Sequence, residues 1–123
     1  MDKITIDKKL TKVKSKYKAK RCEYQGKTFA SKKEMKRYIE LSEKEAKGEI
    51  TNLQTQVPYV IIPKQVDPVT NKVLERETRY IADFVYDTPN GRVVEDTKGF
   101  RTDTYILKRR LMLAVHNIRI QEI

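Results

Sequence analysis

The stretch YIADFVYDTPNGRVVEDTKGF, residues 80–100, constrains the fold more than any other part of the chain. An apolar run from Tyr80 turns on Pro-Asn-Gly and returns through Val93 and Val94, so a β-hairpin is expected. Side chains alternate faces along a strand. Ile81, Asp83 and Val85 are therefore expected on one face of the first strand. Val94, Asp96 and Lys98 share a face of the second, with Glu95 and Thr97 on the other. If the hairpin aligns the two strands, Asp83 and Asp96 converge and Lys98 stands one pleat further on. Charges in the middle of strands are costly unless something pairs with them.

Around this hairpin the sequence suggests an α/β order. CEYQGKTFAS reads as two short strands about Gln25-Gly26. Ser31 with Glu34 forms a capping box opening a helix that Gly48 stops. Met35, Tyr38, Ile39, Ser42 and Ala46 trace one face of it, with Leu41 beside them. VPYVIIPKQV is a strand whose Pro58 and Pro63 suit a sheet edge. DPVTNK is a turn, and VLERETRYIADFVYD is a long extended segment pairing back on it. Thr102 or Asp103 caps a second helix with Tyr105, Leu107, Leu111, Met112 and Val115 as its apolar positions. IRIQEI is a last strand with Ile118, Ile120 and Ile123 inward. The expected order is helix, three strands as a meander, helix, strand: a mixed sheet whose final strand returns after a helical crossover.

Length, 123 residues, suits one modest core. The formal charge of +10 points to a polyanionic partner. Residues 1–21 carry nine Lys or Arg against Asp2 and Asp7, so most of that excess lies in an expected flexible arm, with 22–123 as the folded domain. Lys12, Lys14, Lys16 and Lys18 are its candidate phosphate contacts. No apolar run reaches membrane-spanning length and the start lacks the apolar core of a signal peptide, so a cytoplasmic protein that does not engage a membrane is expected. One cysteine, Cys22, and one histidine, His116, argue against zinc. Any metal is expected to be a hard cation on carboxylates.

Two carboxylates and a lysine on rigid strands suit a Mg²⁺-assisted attack on phosphate, with Mn²⁺ able to substitute. The cation lowers the pKa of a water, and the ammonium orients the nucleophile or stabilises charge. At Asp83 and at Asp96-Thr97-Lys98 the sequence resembles the PD-(D/E)XK motif of the restriction-endonuclease-like nucleases. The family core of helix, three strands, helix and strand has the order read above. The likeness covers roughly residues 22–123 and looks closest to small phage-type nucleases related to Holliday junction resolvases. Ala82 stands where that motif often has proline.

The resemblance implies a DNA endonuclease leaving 5′-phosphate and 3′-hydroxyl ends, phage-encoded and acting in a bacterial host, with branched DNA as the leading specific substrate. It implies metal ligands Asp83, Asp96 and Glu34, and Lys98 as the catalytic ammonium. Symmetric cutting of a junction requires two sites and hence a homodimer. Glu34 is equally explained as a cap, and Glu95 rivals Asp96 if a bulge swaps them. Lys108, Arg109 and Arg110 are candidate phosphate contacts on the second helix. Gln54 and Gln56 are polar strand residues near the site, Thr102 and Tyr105 either cap and pack or touch DNA, and His116 reads as a surface or capping histidine. The rival reading is a non-catalytic nucleic-acid-binding accessory of recombination or packaging, which the charge supports equally well.

Overall fold

A computed structural model describes residues 21–98 and 100–123. The arm lysines Lys12, Lys14, Lys16 and Lys18 lie outside the described residues. The chain divides into two units, residues 1–40 and 41–123.

In the first unit, β1 (Cys22–Tyr24) and β2 (Lys27–Phe29) pair antiparallel. Both residues between them, Gln25 and Gly26, have positive φ, 50° and 81°. That is the backbone a two-residue hairpin needs, and glycine supplies it without strain. Helix α1 (Lys32–Ala46) starts here. Ser31 Oγ accepts from the Glu34 backbone N–H at 3.1 Å, the expected cap. Tyr38 on α1 stacks on Phe29 with ring centroids 5.2 Å apart and meets the edge of Tyr24. Lys27 lies over the Tyr38 ring.

The second unit is built on a four-stranded mixed sheet in the order β3-β6-β7-β8. Its strands are β3 (Thr51–Ile62), β6 (Thr78–Thr88), β7 (Gly91–Asp96) and β8 (Gln121–Glu122). The first three form the antiparallel meander. β8 returns parallel to β7 after helix α2 (Asp103–His116), as expected. β3 lies at the sheet edge, which tolerates Pro58 because a ladder hydrogen bond is not needed on the open side. The extended segment after DPVTNK is broken at Arg76-Glu77: a small separate hairpin, β4 (Gln65–Val66) with β5 (Val73–Glu75), precedes β6. Between β6 and β7, Thr88 pairs with Gly91 and leaves Pro89-Asn90 at the centre, Pro where φ is already preset.

Thr102 caps α2, its Oγ1 accepting from Tyr105 N–H at 3.1 Å. Asn117 closes the helix with φ 57°. His116 is an exposed residue at the end of α2, as expected; its Nε2 lies 2.7 Å from the Val60 carbonyl and its ring meets the edge of Tyr59, which ties α2 to β3. The core gathers Ile61, Tyr80, Ala82, Val85, Val94, Tyr105, Met112 and Ile120.

Three sequence expectations change here. Ile81 does not share the buried face with Asp83 and Val85: it is 44% exposed, while Tyr80 and Ala82 join Val85 in the core. Strict alternation therefore breaks beside Asp83. Across the ladder, Gln56, between the paired positions Thr55↔Phe84 and Val57↔Ala82, has φ 53°, so the neighbouring backbone is irregular at the same level. Ile123 is 39% exposed rather than inward, since Ile118 and Ile120 make Glu122 the next residue on their face. Of the apolar residues on α1, Leu41 is buried, whereas Met35, Tyr38 and Ile39 are half-buried and Ala46 is exposed.

Candidate active site

The β6–β7 register brings the two aspartates together. The last paired residues are Phe84 and Glu95; one step further, Asp83 stands opposite Asp96. Their carboxyl groups lie within hydrogen-bond reach of each other. Asp96 is 2% exposed and Asp83 is half-buried. Burial, and then the bond and charge of Asp83, push the Asp96 carboxyl up to about 7; Tyr80 and Lys98 pull it the other way.

Each carboxylate is held from its own side. Thr97 donates to Asp83 Oδ2 twice, from its backbone N–H at 2.9 Å and its hydroxyl at 2.8 Å. Gln56 Nε2 makes a long 3.4 Å contact to Asp83 Oδ1. The Tyr80 hydroxyl donates to Asp96 Oδ2 at 2.7 Å. Burial and this bond to a carboxylate raise the Tyr80 phenol far above its ordinary value, so it stays a donor. Lys98 Nζ is 3.4 Å from the same Oδ2 and lies 4.4 Å from the centroid of the Tyr105 ring, a cation–π seat. The bonds named here fall mainly on Oδ2 of each aspartate.

Glu95, the rival acid, points away. It is 1% exposed and accepts a hydrogen bond from the Tyr86 hydroxyl. No bulge interrupts β6 against β7, so the alternation that separates Glu95 from Asp96 holds on β7. Arg79, four residues before Asp83, pairs with Glu77. Glu34 is 6% exposed and belongs to the first unit, where the cap on its backbone is the one already described. Gln54 bonds Asn52 and does not take part in the Asp83 contact.

Beside the aspartates lies a cluster that the sequence did not announce. β8 pairs with β7 so that Asp96 sits opposite Glu122. Glu122 accepts from Arg101 at 2.8 Å, Tyr105 at 2.7 Å and Arg109 at 2.9 Å. These partners, Arg101 first and then Tyr105, hold its carboxyl down at about 2. Of the three expected phosphate contacts on α2, Arg109 is thus engaged with Glu122. Lys108 is half-buried and Arg110 exposed, neither with an acidic partner among the described residues. The signal for Glu122 was present in IRIQEI, whose inward series runs Ile118, Ile120, Glu122. An acid ending an apolar face needs partners.

Asp83 and Asp96 fit a hard divalent cation. Two carboxylates crowded until one retains a proton near neutral pH are relieved by a dication between them. Among the described residues no group of three or more His, Cys, Asp or Glu side chains is arranged to hold a metal. Asp83 and Asp96 themselves offer carboxylate oxygens and no nitrogen or sulfur. That suits Mg²⁺, which commonly takes one or two carboxylates and completes its shell with water and phosphate oxygens, and it does not suit zinc.

No helix among the described residues is long and apolar enough to cross a membrane. Neither a curated protein nor a solved structure matches the chain. A family model does match, over residues 14–122, and its span includes Asp83, Asp96, Lys98 and Glu122. The chain belongs to the DUF1064 family, described as a protein of unknown function.

Proposed function

We propose that this protein is a metal-dependent nuclease of the PD-(D/E)XK type that hydrolyses phosphodiester bonds in DNA. The observation that carries the reading is the convergence of Asp83 and Asp96 on one site with Lys98 Nζ 3.4 Å from Asp96. A protein that only binds nucleic acid has no use for two crowded carboxylates, because they repel phosphate. Asp83 and Asp96 would hold Mg²⁺, which when bound supplies neutralisation of phosphate charge and acidification of a water. Thr97 fixes the rotamer of Asp83 and Tyr80 fixes that of Asp96, so both are oriented before substrate arrives. Lys98, seated on Tyr105, stands where it can orient the nucleophile or stabilise the charge that develops at phosphorus. Lys108 and Arg110 contact flanking phosphates. Branched DNA is the specific substrate proposed, and symmetric cutting of a four-way junction calls for two copies of this chain.

The test is incubation with supercoiled plasmid and a synthetic four-way junction, with Mg²⁺ or with EDTA. Cutting with Mg²⁺, supported by Mn²⁺ and abolished by EDTA, is expected. Binding of both DNAs without cutting under any divalent cation would establish the non-catalytic reading instead.

A further inference from the structure

Between α2 and the segment leading into β8 lies a groove of about 360 Å³, a size that small-ligand clefts share. Its lining is chemically divided. Leu113, Ile118 and Ile120 make one part apolar, and Leu113 remains 52% exposed. Arg109, Arg110 and Arg119 also line it, three basic residues to one acid, Glu122. That carboxylate is already bonded to Arg109, and also to Arg101 outside the groove. Arg110 and Arg119 have no acidic partner among the described residues. The groove thus offers two uncompensated cations beside an apolar surface.

Its position narrows the ligand. Glu122, which lines the groove, stands opposite Asp96 in the β7–β8 ladder, and the Ile123 backbone N–H donates to the Asp96 carbonyl at 2.9 Å. The groove is one strand away from the paired aspartates. A nucleic-acid strand with a phosphate at Asp96 and Lys98 that continues along the α2–β8 edge passes over it. Resting on the nuclease reading, we propose that the groove seats a nucleotide flanking the cleaved bond. The base lies against Leu113, Ile118 and Ile120, and the phosphates sit on Arg110 and Arg119. Guanidinium groups match phosphate bidentately, and apolar or planar surfaces accept any base face. An acidic peptide would use the arginines and leave the apolar lining without a role.

The experiment uses the full chain with Ca²⁺ in place of Mg²⁺ and a single-stranded oligonucleotide titrated over a range of salt. The Arg110→Ala/Arg119→Ala double variant should bind more weakly. Its slope of log affinity against log salt should be shallower by about 1.4, the release expected from two single-strand phosphate contacts. Leu113→Ala and removal of one flanking base from the oligonucleotide should each lower affinity, and together no more than either alone, as for groups in contact. An unchanged slope, or full additivity of the last two changes, overturns the proposal. So does equal competition by polyglutamate of matched charge. Free dAMP binding as tightly as the oligonucleotide would make the groove an effector pocket and overturn it too. Junction cleavage in Mg²⁺ is followed with the same proteins. Wild-type binding without cutting overturns the nuclease reading. Cutting with an unchanged slope in the double variant overturns the groove alone.

Discussion

The Tyr80 hydroxyl reaches Asp96 Oδ2 at 2.7 Å from a position that strict strand alternation would place on the opposite face. Gln56, level with this stretch on the neighbouring strand, has a positive φ. Tyr80→Phe keeps the buried ring and removes only this hydrogen bond. Asp96 then loses the donor that fixes its rotamer. Affinity for Mn²⁺ or Ca²⁺, measured by calorimetry, should fall by about 10- to 100-fold, as for partners that orient metal ligands. Equal metal affinity in the variant would make the tyrosine a packing residue and nothing more.

The crowded carboxylates set a pH dependence with a definite sign. Folding raises Asp96 from its ordinary carboxylate range to about 7. The folded protein therefore binds the proton more tightly than the unfolded chain does. The contribution of this group is fully present below about pH 4, the unfolded value, and is lost as pH rises through about 7. In EDTA the protein should melt at a lower temperature at pH 8 than at pH 5.5 on this account. Saturating Ca²⁺ should reverse the order at the site, because the cation binds the deprotonated pair, so its stabilising effect should be larger at pH 8. Scanning calorimetry at the two pH values, with and without Ca²⁺, measures both. The same increment from Ca²⁺ at both pH values would show that the cation does not replace this proton.

Much of this site was legible because it depends on short-range pattern. Period-two alternation and one turn put Asp83 across from Asp96, and neither needs information from distant parts of the chain. The αβββαβ order followed from helix caps, turns and apolar periods in the same way. What was not legible depends on backbone irregularity or on three-dimensional pairing. The facing of Ile81 failed because alternation breaks between Ala82 and Val85, and no residue there gives a distinctive sequence signal. Tyr80 was missed for the same reason. Glu122 acquires its meaning only when β8 is set parallel to β7, and its three partners come from a loop and a helix.

Glu122 provides an independent check on that pairing. Its carboxyl is held down at about 2, first by Arg101 and then by Tyr105. A depressed carboxyl contributes stability that is present above the unfolded value, near 4.3, and lost as pH falls through about 2. Glu122→Gln should therefore lower the melting temperature at pH 7. The gap between variant and wild type should narrow as the pH is taken from about 4.5 toward 2. Freed from the carboxylate, Arg101 and Arg109 add cations close to Lys98. The variant should bind oligonucleotide more tightly, and with a steeper salt dependence, in Ca²⁺. Unaltered melting at pH 7 would show that the three bonds to Glu122 do not hold α2 and β8 together.

Binding and chemistry separate most clearly at Lys98. Its ammonium is seated on Tyr105 and directed at Asp96, so its proposed task is at the reacting phosphate rather than along the duplex. Lys98→Ala should lose cleavage by about 100-fold or more, the scale of removing a general acid–base or charge-stabilising group. Affinity for DNA in Ca²⁺ should fall only slightly, since one phosphate contact among many is lost. Asp83→Asn should lose cleavage similarly and bind DNA at least as well, because a negative charge near phosphate is gone. Lys108→Ala should show the converse, with weaker binding and most of the single-turnover rate retained at saturating enzyme. The comparison needs rates at saturating enzyme alongside affinities measured in Ca²⁺. A Lys98→Ala protein that cuts bound DNA at the wild-type rate would remove Lys98 from the chemistry. It would leave the cleavage to the two aspartates and the metal proposed for them.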